Sequence, residues 1–238
     1  MIIRQLFDDV SGTYSYLLWD EESRDAVMID PVLELSERDI ELIRELELNL
    51  LFSLETHVHA DHVTGAGRLR EAFGCRIAVH AHAGMACADL GLSDGDLLEV
   101  GRESLRVLHT PGHTNTDICY YGNGQVFTGD ALLIRGTGRT DFQSGDPGVA
   151  YDSITQRLYV LPDETLVLPG HDYEGRTAST IGEEKRLNPR IRSGTTRDEY
   201  IHLMSALDLP KPKRIDTALP GNLACGSDED PKESARHG

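Results

Sequence analysis

His57-Val58-His59-Ala60-Asp61-His62 sets three imidazoles and one carboxylate into a single turn, directly after the apolar run Asn49–Leu54. Neutral imidazole and carboxylate are the ligands of zinc and of non-haem iron. Three protonated histidines this close would repel one another, and buried imidazoles without partners are unfavourable. A metal ion resolves both problems. The plain alternative is a polar surface loop with chance histidines, but four ligand-type residues at fixed offsets behind a strand argue for a site.

Three more ligand-type residues stand at matching places. His113 lies in Thr110-Pro111-Gly112-His113-Thr114, Asp130 in Thr128-Gly129-Asp130, and His171 in Pro169-Gly170-His171-Asp172. Each follows a strand-like run and sits in a turn with glycine, which permits tight turns and close backbone approach. Any one alone would be a turn residue; with the hexapeptide they form a complete ligand set.

The surrounding pattern predicts strands at 2–7, 13–19, 25–29, 49–56, 76–80, 97–100, 105–109, 118–121, 125–128 and 165–168. Helices are predicted from Ser36, with Asp39 at capping-box spacing, and over 65–73, 151–161 and 197–207. Thr180 and Glu183 form another capping pair, and 211–213 reads as extended. Strand groups interleaved with helices suit two sheets with helices on their outer faces, and loops at the strand ends carrying the chemistry.

With 238 residues the chain can form one large domain, or one domain with a small appendage, without disulfide staples. Cys75, Cys87, Cys119 and Cys225 are far apart and form no CxxC pair, so inert buried thiols in a reducing compartment are expected. No signal peptide, transit peptide or membrane-spanning run is read, and a cytoplasmic location is expected. The net charge of −17 disfavours nucleic acid and anionic membranes as partners. Anionic small substrates need a metal and local arginines to offset it.

The ligand set as a whole resembles the metallo-β-lactamase fold superfamily over residues 1–175, which implies an α/β fold, an αββα sandwich with the metal at one edge of its two sheets. Further segments narrow the likeness: Ile134-Arg135-Gly136-Thr137-Gly138-Arg139-Thr140-Asp141-Phe142-Gln143, His171-Asp172-Tyr173, the run from Glu183 to Arg190, Leu209-Pro210-Lys211-Pro212-Lys213, and Asn222-Leu223-Ala224-Cys225-Gly226. These resemble the persulfide dioxygenases. Thr137 departs from that pattern, standing where many relatives carry cysteine. The resemblance divides the chain into a core at 1–175, a short C-terminal helical extension packed on it at 176–225, and a disordered tail at 226–238.

The resemblance implies oxidation of glutathione persulfide with O2 to sulfite and glutathione, a step of sulfide oxidation. It implies one Fe(II) per chain on His57, His113 and Asp130, a two-histidine, one-carboxylate set with open positions. His59, Asp61, His62 and His171 would orient ligands and serve catalysis around it. Tyr173 would face the reacting atoms. Arg139 would hold a glutathione carboxylate, with Arg135 nearby, and Thr114, Lys211, Lys213 and Arg214 as further pocket candidates. Spacing alone permits two metals instead. His57, His59 and His113 would hold one zinc and Asp61, His62 and His171 a second, with Asp130 bridging, as in a thioester hydrolase of the glyoxalase II type. A non-enzymatic persulfide carrier using Cys225 is a third reading, although it would not need all seven metal-type residues. An exposed apolar edge would suit a homodimer.

Overall fold

The computed structural model describes residues 1–211 and 214–226. The expected tail beyond Gly226 and the candidate Lys213 lie outside the described residues. Twelve strands form two six-stranded sheets among these residues. The first sheet holds β1 (Ile2–Asp8), β2 (Thr13–Trp19), β3 (Asp25–Ile29), β4 (Asn49–Leu54), β5 (Arg76–His80) and β6 (Leu90–Leu92), neighbours in that order. The second runs from β7 (Leu97–Val100) through β8 (Glu103–His109), β9 (Ile118–Gly122), β10 (Gln125–Gly129) and β11 (Leu166–Pro169) to β12 (Ser179–Thr180).

Period-two alternation sorts the side chains of these strands into two layers. Tyr16, Leu18, Val27, Ile29, Phe52 and Leu54 face Leu105, Val107, Ile118, Tyr120 and Phe127 to form the core between the sheets. The alternate residues Leu17, Trp19, Ala26 and Met28 turn outward onto α1 (Ser36–Glu45) and α2 (Ala66–Phe73), meeting Ile40, Ile43 and Leu69. On the second sheet Cys119, Val126 and Val167 pack under α3 (Pro147–Ser153), α4 (Ile181–Leu187) and α5 (Arg197–Ser205), with Ile181, Tyr200 and Met204 as the helix-side partners. Every residue of β2 is buried, as a strand covered on both faces requires. The layers are therefore helix, sheet, sheet, helix. Among the described residues no helix is long and apolar enough to cross a membrane.

The helix ends differ from expectation in instructive ways. Ser36 is not a side-chain cap; it is the first helical residue, and its hydroxyl donates to Leu33 O at 2.8 Å. Thr180 does cap α4, accepting from Glu183 N–H at 3.1 Å. The reciprocal capping box occurs at Thr196 and Glu199 of α5. The helix expected at 151–161 begins at Pro147, where Asp146 accepts from Val149 N–H, and passes into a π-helical turn over Ile154–Leu158. A last helix, α6 (Ile215–Leu223), falls in the stretch expected to be helical, though its bounds were not predicted; it carries Pro220 inside it. The four-thiol expectation is corrected too: Cys87 and Cys225 form a disulfide, while Cys75 and Cys119 are buried free thiols.

Asp39 on α1 gives the fold a pH-dependent liability. Burial lifts its pKa from 3.8 to about 6, against the help of the adjacent Arg38 guanidinium. A folded-state pKa above the unfolded one means that folding binds a proton between those values, so stability falls as pH rises from about 4 through 6 and is flat above. Asp39→Asn removes this penalty. In chemical denaturation it should gain on wild type by up to about 3 kcal/mol more at pH 7.5 than at pH 3.5. The same difference at both pH values would contradict the assignment.

Candidate metal centre

Strand direction brings the ligand-type turns to one end of the sandwich. β3 and β4 run parallel, pairing Ile29 with Leu54, so Asp30 emerges beside Glu55, Thr56 and the hexapeptide. β10 and β11 also run parallel, pairing Gly129 with Pro169, so Asp130 and His171 emerge together. β8 lies antiparallel to β9, and β9 to β10, which returns the turn bearing His113 to the same end.

His57, His113 and Asp130 each offer one ligand atom, and the three lie within 4.8 Å of one another. His113 Nε2 is 3.6 Å from Asp130 Oδ2. Hydrogen bonds fix which ring nitrogens carry hydrogen. Thr56 Oγ1 gives its one hydrogen to Asp30 Oδ2 at 2.7 Å, so it accepts from His57 Nδ1 at 3.0 Å. His113 Nδ1 donates to the Arg139 carbonyl at 2.7 Å. Both rings therefore present an Nε2 lone pair. Burial, with the neighbouring imidazoles His59 and His113, holds the His57 pKa well below the usual histidine range, which keeps it a neutral ligand. Gly138 makes room for this packing: a Cβ there would stand 2.4 Å from Asp130 O and 3.0 Å from the His113 ring.

The other candidates gather beside this set. His59, Asp61 and His62 form a second group within the same 4.8 Å reach. Asp61 Oδ2, however, already accepts from Thr13 Oγ1 at 3.1 Å and lies 2.8 Å from His62 Nδ1. Burial opposes its charge, but His62 and His171 outweigh that and hold the carboxylate pKa far below its usual range. His171 donates from Nδ1 to Gly12 O at 3.1 Å, and its Nε2 faces Asp61 Oδ2 at 3.5 Å and Asp130 Oδ1 at 3.6 Å. Burial works against the charged form of His171, yet Asp130 and Asp61 prevail and raise its pKa.

Asp130 Oδ1, His59 Nδ1 and His62 Nε2 are buried without a hydrogen-bond partner among the described residues. Buried acceptors left unmatched at a His and Asp cluster are what a cation would satisfy, so the residues fit a metal.

Two residues behind the ligands had not been singled out from the sequence. Asp30 accepts from Thr56 N–H at 2.7 Å as well as from its hydroxyl, and its Oδ1 lies 3.1 Å from His59 Nε2. Glu55 Oε2 is 3.3 Å from the same nitrogen, and Glu55 Oε1 accepts from Thr64 Oγ1 at 2.6 Å. Asp30 has φ +49°, an uncommon setting for a residue other than glycine.

The pocket candidates are placed unevenly. Arg139 forms a two-pronged pair with Asp141 at 2.7 and 2.8 Å, donates to Pro210 O and Leu209 O, and lies over the Phe142 ring. Lys211 comes directly after Pro210 and is exposed. Arg135 is engaged with Glu183 and Glu184, and Arg214 pairs with Glu34. Thr114 is buried, and its hydroxyl and N–H both donate to Asp117, so it shapes the turn bearing His113. Thr137 is buried too and accepts from the Tyr200 hydroxyl at 2.9 Å. Tyr173 is 77% exposed; its ring stacks on His171 at 5.8 Å and covers Gly12, whose φ of +72° and missing Cβ let the ring lie there. A cleft of about 810 Å³ lies at the opposite end of β4, between Asn49, Phe52, Arg76 and Leu97, away from all of these groups.

A layered sandwich with this set of histidines and aspartates at the strand ends defines a class, and the chain belongs to the metallo-beta-lactamase superfamily, whose family model matches residues 8–171. More particularly, it is 48% identical over 229 residues to the human protein named persulfide dioxygenase ETHE1, mitochondrial, covering 95% of this chain and 89% of that one. The crystal structure of ETHE1 from Myxococcus xanthus superposes with a TM-score of 0.92 at 53% identity, over 95% of this chain and 100% of that one. Hydroxyacylglutathione hydrolase GloC from Haemophilus influenzae is 36% identical over 200 residues, covering 74% of this chain and 92% of that one.

Proposed function

We propose that this chain is a persulfide dioxygenase that converts glutathione persulfide, O2 and water into glutathione and sulfite. One persulfide, one O2 and one water balance one thiol, one sulfite and two protons. The observation that carries the reading is the pair of tautomers at the ligand set. His57 and His113 each commit Nδ1–H to an oxygen and present Nε2, beside the carboxylate of Asp130. Two imidazoles and one carboxylate with open positions are the donor set of non-haem Fe(II) oxygenases. The bonds from Thr13 and His62 both fall on Asp61 Oδ2, so the support for one Fe(II) per chain over two zinc ions is the likeness to the proteins named persulfide dioxygenase.

Ferrous iron held there would supply open coordination positions and redox activity toward O2, the four electrons that reduce O2 coming from the outer persulfide sulfur. The chain's own groups do the rest. His171 Nε2, with its lone pair turned toward Asp61 and Asp130, is the atom set to take the proton of an incoming persulfide. Gly12 O holds the ring in place from behind through Nδ1, and Asp61, itself held by His62, faces Nε2. Tyr173 and Gly12 form the wall by which substrate enters. Arg139 is the proposed carboxylate clamp: its fork is filled by Asp141, a 54% exposed side chain that a glutathione carboxylate can displace. Lys211, next to Pro210, would lie on the same side, Lys213 remains a pocket candidate from the sequence, and Thr114 would act through the turn it shapes. β1 is an edge strand, which suits the proposed homodimer; the cytoplasmic setting belongs to the same proposal.

Arg139→Ala should raise KM for glutathione persulfide several-fold while leaving metal content near that of wild type; an unchanged KM removes Arg139 from the pocket. The reading as a whole is tested against the thioester alternative by assaying both substrates with the Fe(II)-loaded and the zinc-loaded chain. Sulfite production confined to the iron form supports it. Hydrolysis of lactoylglutathione by a form with two metals, without sulfite production, overturns it.

A further inference from the structure

We propose that the end of α6 is a clamp on the metal-binding turn, in which Asn222 is a positioning residue and the Cys87–Cys225 disulfide is the anchor. The proposal rests on the metal reading of the cluster. Asn222 is 1% exposed, and its whole amide is spent on the backbone of the histidine-rich segment. Nδ2 donates to His59 O at 2.8 Å and to His62 O at 2.9 Å, while Oδ1 accepts from Thr64 N–H at 2.6 Å. The two donated bonds use both N–H groups of the asparagine amide and its oxygen accepts the third; aspartate lacks the donors. These bonds fix the carbonyls on either side of Asp61, and so fix the turn that sends His57 forward and His59 and His62 to the side.

The helix that carries Asn222 has little adhesion of its own. Of the nine residues of α6, only Ala218 and Asn222 are buried. The residues just past its end hold the helix in place. Cys225 O accepts from Gly67 N–H of α2 at 2.8 Å, and Cys225 Sγ is bonded to Cys87 Sγ across 138 residues of chain. Cys87 sits in the connection between β5 and β6, and its carbonyl accepts from Arg70 of α2 at 2.8 Å. The disulfide thus ties the end of α6 to the same helix that begins just after the metal-binding turn. Reduction breaks the S–S bond and gives two thiols, a phosphine reductant taking up the oxygen of water. Asn222 is then held without the covalent anchor, by α6 and the Gly67 bond to Cys225 O, and the turn loosens.

The test measures Fe(II) affinity of the apo chain under nitrogen by competition with a chelator, so turnover is not the readout. Asn222→Ala should bind Fe(II) about 10- to 100-fold more weakly, the range for groups that orient ligands from behind. Asn222→Asp should not restore it. Wild type that has been reduced, with the phosphine then removed, should weaken several-fold, and Cys87→Ser should match it and be insensitive to reduction. Wild-type affinity in Asn222→Ala overturns the positioning role, and equal affinities for oxidised and reduced wild type overturn the anchor. The reduction experiment needs no substitution and serves even where Asn222→Ala does not fold. A wild-type chain that takes up no metal overturns the metal reading itself, which is distinct from either failure.

Discussion

Asp130→Ala leaves a folded chain that has lost its metal and, with it, all persulfide-dependent O2 uptake. Asp130 would supply the one carboxylate of the proposed ligand set, from a turn after β10 and not from the core. Its Oδ2 stands 3.6 Å from His113 Nε2, and its Oδ1 is a buried acceptor with no partner among the described residues. Losing a group that only orients a ligand weakens metal binding about 10- to 100-fold, so losing a ligand should exceed about 100-fold. Metal per chain after dialysis, read by atomic emission, checks this beside a thermal melt. Full iron occupancy in the variant would remove Asp130 from the ligand set.

Asp30→Ala has the next largest effect, and on stability as well as on metal. Its carboxylate satisfies Thr56 N–H, the Thr56 hydroxyl and His59 Nε2, all buried. Breaking a buried charged network from one side costs about 3 kcal/mol, which for a chain of this size lowers Tm by roughly 6–12 °C. Roughly 1 kcal/mol of that belongs to placing alanine at positive φ, a share that Asp30→Asn avoids because asparagine tolerates that backbone. With Asp30 gone, the Thr56 hydroxyl can turn its hydrogen elsewhere, and the tautomer of His57 is no longer fixed. Metal affinity of the alanine variant should fall about 10- to 100-fold. An apo chain with wild-type Tm and wild-type metal affinity would contradict this account of the network.

How much of the molecule was legible in the sequence depends on how far each interaction reaches along the chain. The αββα arrangement was readable because strand alternation and the ligand turns are local patterns, and β2, β3, β5 and β7 fall on the predicted residues. The cluster of His57, His113 and Asp130 was readable because each ligand stands in a glycine turn or hexapeptide at a strand's end. Asp30 was not singled out, because its role depends on β3 lying parallel to β4, a tertiary fact. Cys87 and Cys225 were read as separate thiols because a pairing across 138 residues leaves no local mark. The segment from Asn222 to Gly226 was recognisable as a motif, but the amide's three bonds to the backbone around the hexapeptide were not. Arg139 was read as the holder of a glutathione carboxylate; that Asp141, two residues on, occupies its fork and that the Arg139 carbonyl orients His113 were not read. Tyr173 was expected near the reacting atoms from its place two residues after His171; that its ring stacks beside His171 and covers Gly12 depends on the turn between β1 and β2, which the local sequence does not show.

The central claim is that this cluster oxidises a persulfide with O2. The most direct measurement is O2 consumption by the Fe(II)-loaded chain on addition of glutathione persulfide, with sulfite assayed in the same vessel. One sulfite formed for each O2 consumed, with neither change in the Asp130→Ala protein, is the predicted result. No O2 uptake by a chain that demonstrably retains its iron would contradict it.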